Sequence, residues 1–465
     1  MRHPAFAMMA VSTVALTGCV NLAPDYQRSP LPVPADLPVE APATAEVEPL
    51  LWKDVITSPA LRDVIRTALA ENRDLRATAA NVRAARANLR ITRSGRLPQG
   101  AFSSTVQTGD TFEAGATGQT LFSDSTTAQI GVSAWELDFF GRLQNLNDAA
   151  LQAYLATEEG ERAAKIALAG TVAETWMQLA ADRELLKLAN STAESQSESL
   201  SLTRELFSAG TASELDVRRA SASVAQAQAQ AAGYEASVRT DANALRRLVG
   251  APLPDPVLEQ ADLFSAPVAQ NLPIGQSSLV LLDRPDVRAA EAQLKASNAN
   301  IGAARAAYFP TISLTGGVGV ASAELDDLFQ GDGSSGWTFA PGIRLPIFDF
   351  GRRQGNLEAA RANADAALAT YQSTIQQAFR EVADAVAVSE TIGRRLSALE
   401  QLSEDTKVTL ELSGERFRAG LDGYLTVLDA QREYYSAQQQ LIQANLDNNL
   451  NSIALYKALG TWSEE

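Results

Sequence analysis

The sequence predicts an α+β fold, mostly α, written as a tandem structural repeat. Three observations carry that prediction. Short motifs recur at a constant offset of 210 residues: Phe140-Gly141-Arg142 with Phe350-Gly351-Arg352, Phe207-Ser208-Ala209-Gly210 with Phe417-Arg418-Ala419-Gly420, and Leu248-Val249-Gly250 with Ala458-Leu459-Gly460. Two stretches of 66 residues, Arg142 to Phe207 and Arg352 to Phe417, contain no proline. Two pairs of short segments alternate apolar and polar residues. Solenoid units are only roughly 20–50 residues long, so a period this large reads as a duplicated half-protein.

The elements follow in order. Residues 1–18 read as a secretion signal, with Arg2 and His3 before an apolar run too short to span a bilayer. The run ends in Leu16-Thr17-Gly18-Cys19, small residues before a cysteine, which is the pattern that bacterial lipoproteins have cleaved and acylated. Cys19 is the only cysteine and the expected lipidation site. Val20 follows it where an inner-membrane retention signal would place Asp, which favours the outer membrane. Residues 19–56 form an expected extended segment, rich in Pro, Ala and Glu.

The first repeat is expected over 57–250. It begins with a helix over 57–96, where Leu61, Val64, Ile65, Leu69, Leu75, Val82 and Leu89 fall near helical spacing and Pro98 ends the run. A β-hairpin over 101–138 follows, in which Ala128, Ile130, Val132 and Ala134 alternate with polar or small neighbours. The intervening segment 110–126 is expected as a surface loop. Then come a long helix over 142–207 and a returning helix over 213–249. Three prolines, Pro252, Pro254 and Pro256, open a linker over 251–282. The second repeat, 283–460, has a helix over 284–309, a hairpin over 311–347, a long helix over 352–417 and a returning helix over 423–459. A short tail, 461–465, remains. Val172, Trp176, Leu179 and Leu186 step by 4, 3 and 7, as do Val382, Val386, Ser389 and Leu396, which is coiled-coil spacing.

Composition narrows the function. Once the signal is removed the chain has no histidine, and acylation would leave no free thiol. Histidine acid–base chemistry, cysteine nucleophiles and the usual zinc ligands are therefore excluded, and an enzyme is not expected. A net charge of −16 argues against nucleic acid. No apolar window is long enough for a transmembrane helix.

The strands point elsewhere. Four strands cannot close a barrel, for which roughly eight is the practical minimum. Open edges are not tolerated in lipid. Several chains must share one barrel; three would give a 12-stranded transmembrane β-barrel. Their long coiled-coil helices, ringed on one axis, would form a trimeric α-helical tunnel. Trp135 and Trp337 stand where an interfacial belt could use them.

At this point the chain resembles the TolC/OprM-like outer-membrane efflux proteins, in their lipoprotein branch. The resemblance rests on Cys19 with Pro24-Asp25-Tyr26-Gln27-Arg28, on Trp52 with Ser58-Pro59-Ala60-Leu61, on Asn72 through Leu75, and on Leu425-Thr426-Val427-Leu428-Asp429-Ala430-Gln431-Arg432. It implies a homotrimer in outer-membrane lipid, a periplasmic adaptor, and an inner-membrane transporter of the RND type, with no cofactor beyond the lipid on Cys19. It also implies an exit duct for drugs and toxic compounds. Protein or peptide export by a type I system, and a non-channel periplasmic coiled-coil spacer, remain as alternatives.

The turns between long and returning helices are the expected tips. The resemblance places adaptor contacts at Ala209, Gly210, Thr211, Ser213 and Leu215, with Ala419, Gly420 and Leu421 in the second repeat. Leu425, Asp429 and Arg432 share one helix face just inside the second tip and are the expected gate. Its alternative is a plain ion pair between Asp429 and Arg432. TolC-like tips carry a second Asp where this chain has Thr426.

Overall fold

The computed structural model describes residues 20–39, 51–107, 113–114, 119–120, 125–270, 272, 275–322, 328 and 334–460. The chain divides into two compact units. One gathers residues 1–30, 81–158 and 289–371, and the other 31–80, 159–288 and 372–465.

The first unit holds the sheet. Strands β1 (Gly100–Gln107), β4 (Ser125–Leu137), β5 (Thr311–Ser322) and β6 (Ser334–Arg344) pair antiparallel in the order β1-β4-β5-β6. Each hairpin is thus local to one repeat, and β4 pairing with β5 joins the repeats. The expected loop 110–126 is not all loop: β2 (Glu113–Ala114) and β3 (Gln119–Thr120) form a short ribbon, Ser125 and Thr126 already belong to β4, and the rest lies outside the described residues.

The register explains the alternation seen in the sequence. Phe102, Ile130, Val318 and Trp337 stand opposite one another across all four strands. They are 69%, 62%, 62% and 76% exposed, with no helix over them. The neighbouring row is Ser103, Gln129, Gly319 and Gly336, on the other face. One face is therefore apolar and open while the other is polar. Between Val132 and Trp135 the register shifts, Ala134 adopts a φ of 50°, and its amide donates to the Thr315 hydroxyl at 3.0 Å. This bulge keeps Trp135 and Leu137 on the apolar face despite the extra residue.

The same unit fixes the N-terminal segment. Val20 donates its amide to the carbonyl of Phe139, at 3.2 Å. Arg305 donates to the carbonyl of Leu22 at 3.1 Å and Asn298 to that of Pro24 at 2.7 Å. Glu291 accepts from Tyr26 at 3.0 Å and from Arg28 at 2.8 and 3.0 Å. Glu291, Asn298 and Arg305 are spaced by seven residues along α7 (Pro285–Ala306), so they form one stripe of that helix. Gly302 sits in the stripe because a Cβ there would come within 2.8 Å of Ala23 Cα. Extended backbone laid on a helix needs such a donor ladder, since it has no strand partner.

The second unit is helical, and it takes residues 159–208 and 372–418 of two long helices that begin in the first. Helix α4 (Arg142–Ser208) and its repeat mate α8 (Arg352–Arg418) are 67 residues each, and the returning helices α5 (Glu214–Val249) and α9 (Tyr424–Leu459) are 36 each. Val172, Trp176, Leu179, Val382 and Val386 are buried, as the coiled-coil spacing requires, whereas Leu186 and Leu396 are half-buried and Ser389 is exposed. The leading helix expected over 57–96 is broken. It forms α2 (Pro59–Glu71) and α3 (Arg73–Ser94), and a further helical turn, α1 (Trp52–Val55), stands within the segment 19–56 that was expected to be extended. Ser58 caps α2 and Pro59 opens it. Asn72, only 4% exposed, separates α2 from α3: its side chain accepts from the Leu75 amide at 2.8 Å and donates to the Leu248 carbonyl at 2.7 Å.

The second repeat makes the equivalent contact with a different residue. Arg284, just before α7, donates to the carbonyl of Ala458, at 2.9 Å. Ala458 is the repeat mate of Leu248. The expected linker 251–282 is likewise structured. It carries α6 (Asp255–Leu258), a 3-10 turn (Ser278–Asp283), and bridges pairing Ile56 with Val268 and Asp36 with Ser277.

Candidate functional site

The two helical hairpins turn at the second unit's tips, and glycine makes both turns. Gly210 and Gly420 have φ of 75° and 74°. Behind them the amides of Thr211 and Leu421 bond to the carbonyls of Leu206 and Arg416, each at 2.9 Å. This is a Schellman closure, which needs a left-handed residue just past the helix end. The motif shared by the repeats is therefore a turn requirement first.

Beyond the glycines the tips differ. In the first, the Ser213 hydroxyl accepts from the Asp216 amide at 3.2 Å, and Asp216 accepts from the Ser213 amide at 3.1 Å, a reciprocal capping box. The Ser213 bond holds the Asp216 carboxyl below the usual carboxylate range. In the second tip the cap position is Gly423, without a side-chain bond. An ion pair replaces it: Arg416 grips Asp422 through two bonds, at 2.6 and 3.0 Å, lowering the Asp422 pKa. Neither device was singled out from the sequence. The Ser-x-x-Asp pattern is a visible signal for the first, whereas six residues across a turn carry no local signature for the second.

The expected contact residues all lie at the surface. Ala209, Gly210, Thr211, Ser213, Leu215, Ala419, Gly420 and Leu421 are exposed, Leu215 and Leu421 by 57% and 67%. Behind them Tyr424 and Leu428 pack with Leu200 and Ala220, and Phe417 lies against this cluster with its ring 5.8 Å from Tyr424. Gln431 donates to Ser199 at 3.2 Å. So Tyr424, Val427, Leu428 and Gln431 form the buried face of α9 and tie the two hairpins together.

Leu425, Asp429 and Arg432 lie to one side of that buried face and are exposed to solvent. The structure brings all three together, with Asp429 and Arg432 at 3.9 Å. Both are more than half exposed, so the pair is worth well under ~1 kcal/mol and leaves Asp429 free to meet other charges. Cys19 lies outside the described residues, although Val20 beside it is anchored at the sheet end.

The sequence profile of the outer membrane efflux protein family matches residues 64–251 and 277–461, one segment per repeat. The toluene efflux pump outer membrane protein TtgI of Pseudomonas putida is 43% identical, covering 99% of this chain and 98% of its own. OprJ of Pseudomonas aeruginosa is 38% identical, covering 100% and 98%. Among solved structures, a membrane protein of Pseudomonas aeruginosa superposes with a TM-score of 0.88 at 38% identity, over 95% of this chain and 97% of that one. The open-state MtrE outer membrane channel of Neisseria gonorrhoeae gives 0.83 at 35%, over 95% and 98%. With both repeats matched and the channel fold shared, the chain belongs to the outer membrane efflux protein family: it is the outer-membrane channel component of an efflux pump, working with an adaptor and an inner-membrane transporter, and not an enzyme.

Proposed function

We propose that three copies of the chain close one barrel, and that their helix tips form a periplasmic mouth narrowed by Leu425 and Asp429. One observation carries this reading. The sheet has an open apolar face, and its outer strands β1 and β6 have no outer partner among the described residues. Lipid covers such a face, and lipid does not tolerate free strand edges, so neighbouring copies must pair them. Three chains of four strands give 12.

The exported compounds are small apolar organics and antibiotics. Relatives at about 40% identity over the whole chain are named as toluene, solvent and antibiotic pump components. The lipoprotein-like start at Cys19 and the run Pro24 to Arg28 favour an RND-type inner-membrane transporter over a type I secretion system. Acyl chains on Cys19 would enter the membrane beside Phe139, to which Val20 is bonded. The exposed leucines and small residues of the tips suit the adaptor, because they present apolar contact without bulk. In a trimer Asp429 forms a ring of three carboxylates and Leu425 a ring of three apolar side chains. Such rings hold a pore closed by dewetting and by binding cations. Thr426 leaves a single carboxylate ring.

Purified protein in planar bilayers tests the gate. Asp429→Ala should raise resting conductance and weaken block by divalent cations. Conductance and block equal to wild type would remove Asp429 from the gate.

A further inference from the structure

The internal repeat makes the contact between β4 and β5 a template for the contact that β6 must make with β1 of the next copy. The equivalences come from the chain itself. Pro98 and Pro310 match at an offset of 212 and set β1 against β5. Phe140 and Phe350 match at 210 and set the end of β4 against the end of β6. In the first hairpin Gly100 faces Val132, and in the second Ile312 faces Ile343, so beyond the bulge β4 maps onto β6 at 211. The extra residue in β4 accounts for the change from 210 to 211.

Transfer of the β4–β5 register gives one answer along the whole seam. Trp135 faces Leu314, and their mates are Leu345 and Phe102. Val132 faces Gly316, and their mates are Ile343 and Ser104. Both pairs sum to 447, so the seam runs without the bulge that interrupts β4. The same sum extends to the strand ends. Within the chain, Phe140 stacks on Phe309 with ring centroids 4.7 Å apart. Their mates are Phe350 and Leu97, and 350 and 97 again sum to 447. Phe350 is fully exposed and Leu97 is 66% exposed. Within the chain both large apolar side chains are left open.

We infer that β6 pairs antiparallel with β1 of a second copy in this register, with Leu345 opposite the partner subunit's Phe102 and Phe350 capping the partner subunit's Leu97. The inference rests on the trimeric reading above. It adds which residues meet. Faces agree, because odd residues of β6 and even residues of β1 both lie on the apolar side. A slip of one residue would turn that side inward, whereas slips of two keep the faces and must be separated by experiment.

Cysteine pairs separate them. Directly opposed residues bring Cβ atoms within about 4.5–5.5 Å, and positions two residues off lie about 7–8 Å apart, beyond disulfide reach. Leu345→Cys with Phe102→Cys, and Arg344→Cys with Ser103→Cys, are the matched pairs; as neighbours in the ladder, one of them is the closer non-hydrogen-bonded kind. Leu345→Cys with Gly100→Cys, and Leu345→Cys with Ser104→Cys, are the slipped pairs. Full-length protein purified in detergent is oxidised with copper–phenanthroline and run without reductant, with particle symmetry imaged in parallel. The expected result is a covalent trimer band from at least one matched pair, at least ~10-fold stronger than from either slipped pair. Threefold particles that cross-link through a slipped pair, or through no pair, overturn the register. Absence of threefold particles from the wild-type chain would instead remove the trimeric reading itself.

Discussion

Arg284 offers a direct measure of how the second repeat is held together. Its side chain is 9% exposed and makes four bonds: to Ala458 O at 2.9 Å, to Asp286 at 3.0 and 2.7 Å, and to Glu381 at 2.8 Å. The carboxylates are 41% and 38% exposed, so water replaces the guanidinium there and each pair counts for under ~1 kcal/mol. The Ala458 carbonyl is different. It belongs to the last turn of α9, where no amide of the helix can reach it, and Ala458 is 1% exposed. Leaving it bare costs about 1–3 kcal/mol. Arg284→Ala should therefore weaken the junction of α7 with the end of α9 by about 2–4 kcal/mol. At 1.4 kcal/mol per tenfold, amides in the first turn of α7 and the last turn of α9 should exchange with deuterium roughly 30- to 700-fold faster. Arg284→Asn copies the first repeat, where Asn72 makes the same bond, and should restore at least half of the loss. Equal damage from Ala and Asn would mean that the ion pairs, not the carbonyl cap, hold the junction. Unchanged exchange in Arg284→Ala would refute the argument outright.

Three further outcomes follow from the helices and the N-terminal segment. The Asp241 carboxyl is pushed up to about 7, by burial first and then by its hydrogen bond and repulsion with Asp182. A raised carboxyl stabilises the fold below its unfolded value of about 4, and that contribution is lost as pH rises through 7. Asp241→Asn should flatten the fall in thermal midpoint between those limits and raise the midpoint at pH 8; parallel curves would count against it. Glu291 shifts the opposite way: burial alone would raise its pKa, but bonds from Arg28 and Tyr26 and the charge of Lys295 bring it below the usual range. Its contribution is present above about pH 4.3 and lost on acidification, so protease cleavage within residues 20–30 should increase as the pH is lowered below that value, and Glu291→Gln should cleave readily already at pH 7. Ser213→Ala removes the capping box and should cost about 1 kcal/mol, read as faster deuterium exchange in the first turn of α5 but not of α9.

What could be read from the sequence is what depends on local periodicity. The absence of proline and the 4, 3, 7 spacing were enough for α4 and α8, and alternation was enough for β4, β5 and β6. What could not be read depends on partners distant in the chain. The break at Asn72 carries no glycine or proline; it exists because that side chain reaches a carbonyl 176 residues away. The bulge before Trp135 becomes visible only against Thr315. At the tips, the glycines announced the turns. Helical spacing also put Leu425, Asp429 and Arg432 on one face of α9; which leucines are buried was not legible, because leucines stand on both sides of the helix. Only contact with Leu200 and Ala220 decides between them.

Three patterns stand out in the apolar surface left open on the described residues. On the sheet, Phe102, Ile130, Val318 and Trp337 form an unbroken row, with no charge between them. A continuous patch of this kind is stable only against hydrocarbon or a large partner, and the polar row behind it requires water on the other side. At the strand ends, Leu97 and Phe350 are single residues whose repeat mates are stacked, which calls for another copy of the same surface. At the tips, Leu215, Leu421 and Leu425 stand apart among Thr211, Ser213, Asp422 and Asp429. Isolated leucines ringed by polar groups and charge do not enter lipid, and they suit a protein partner that supplies both apolar contact and donors. The exposed side chains thus divide by pattern alone into a continuous row on the sheet, single residues at the strand ends and polar-ringed leucines at the tips.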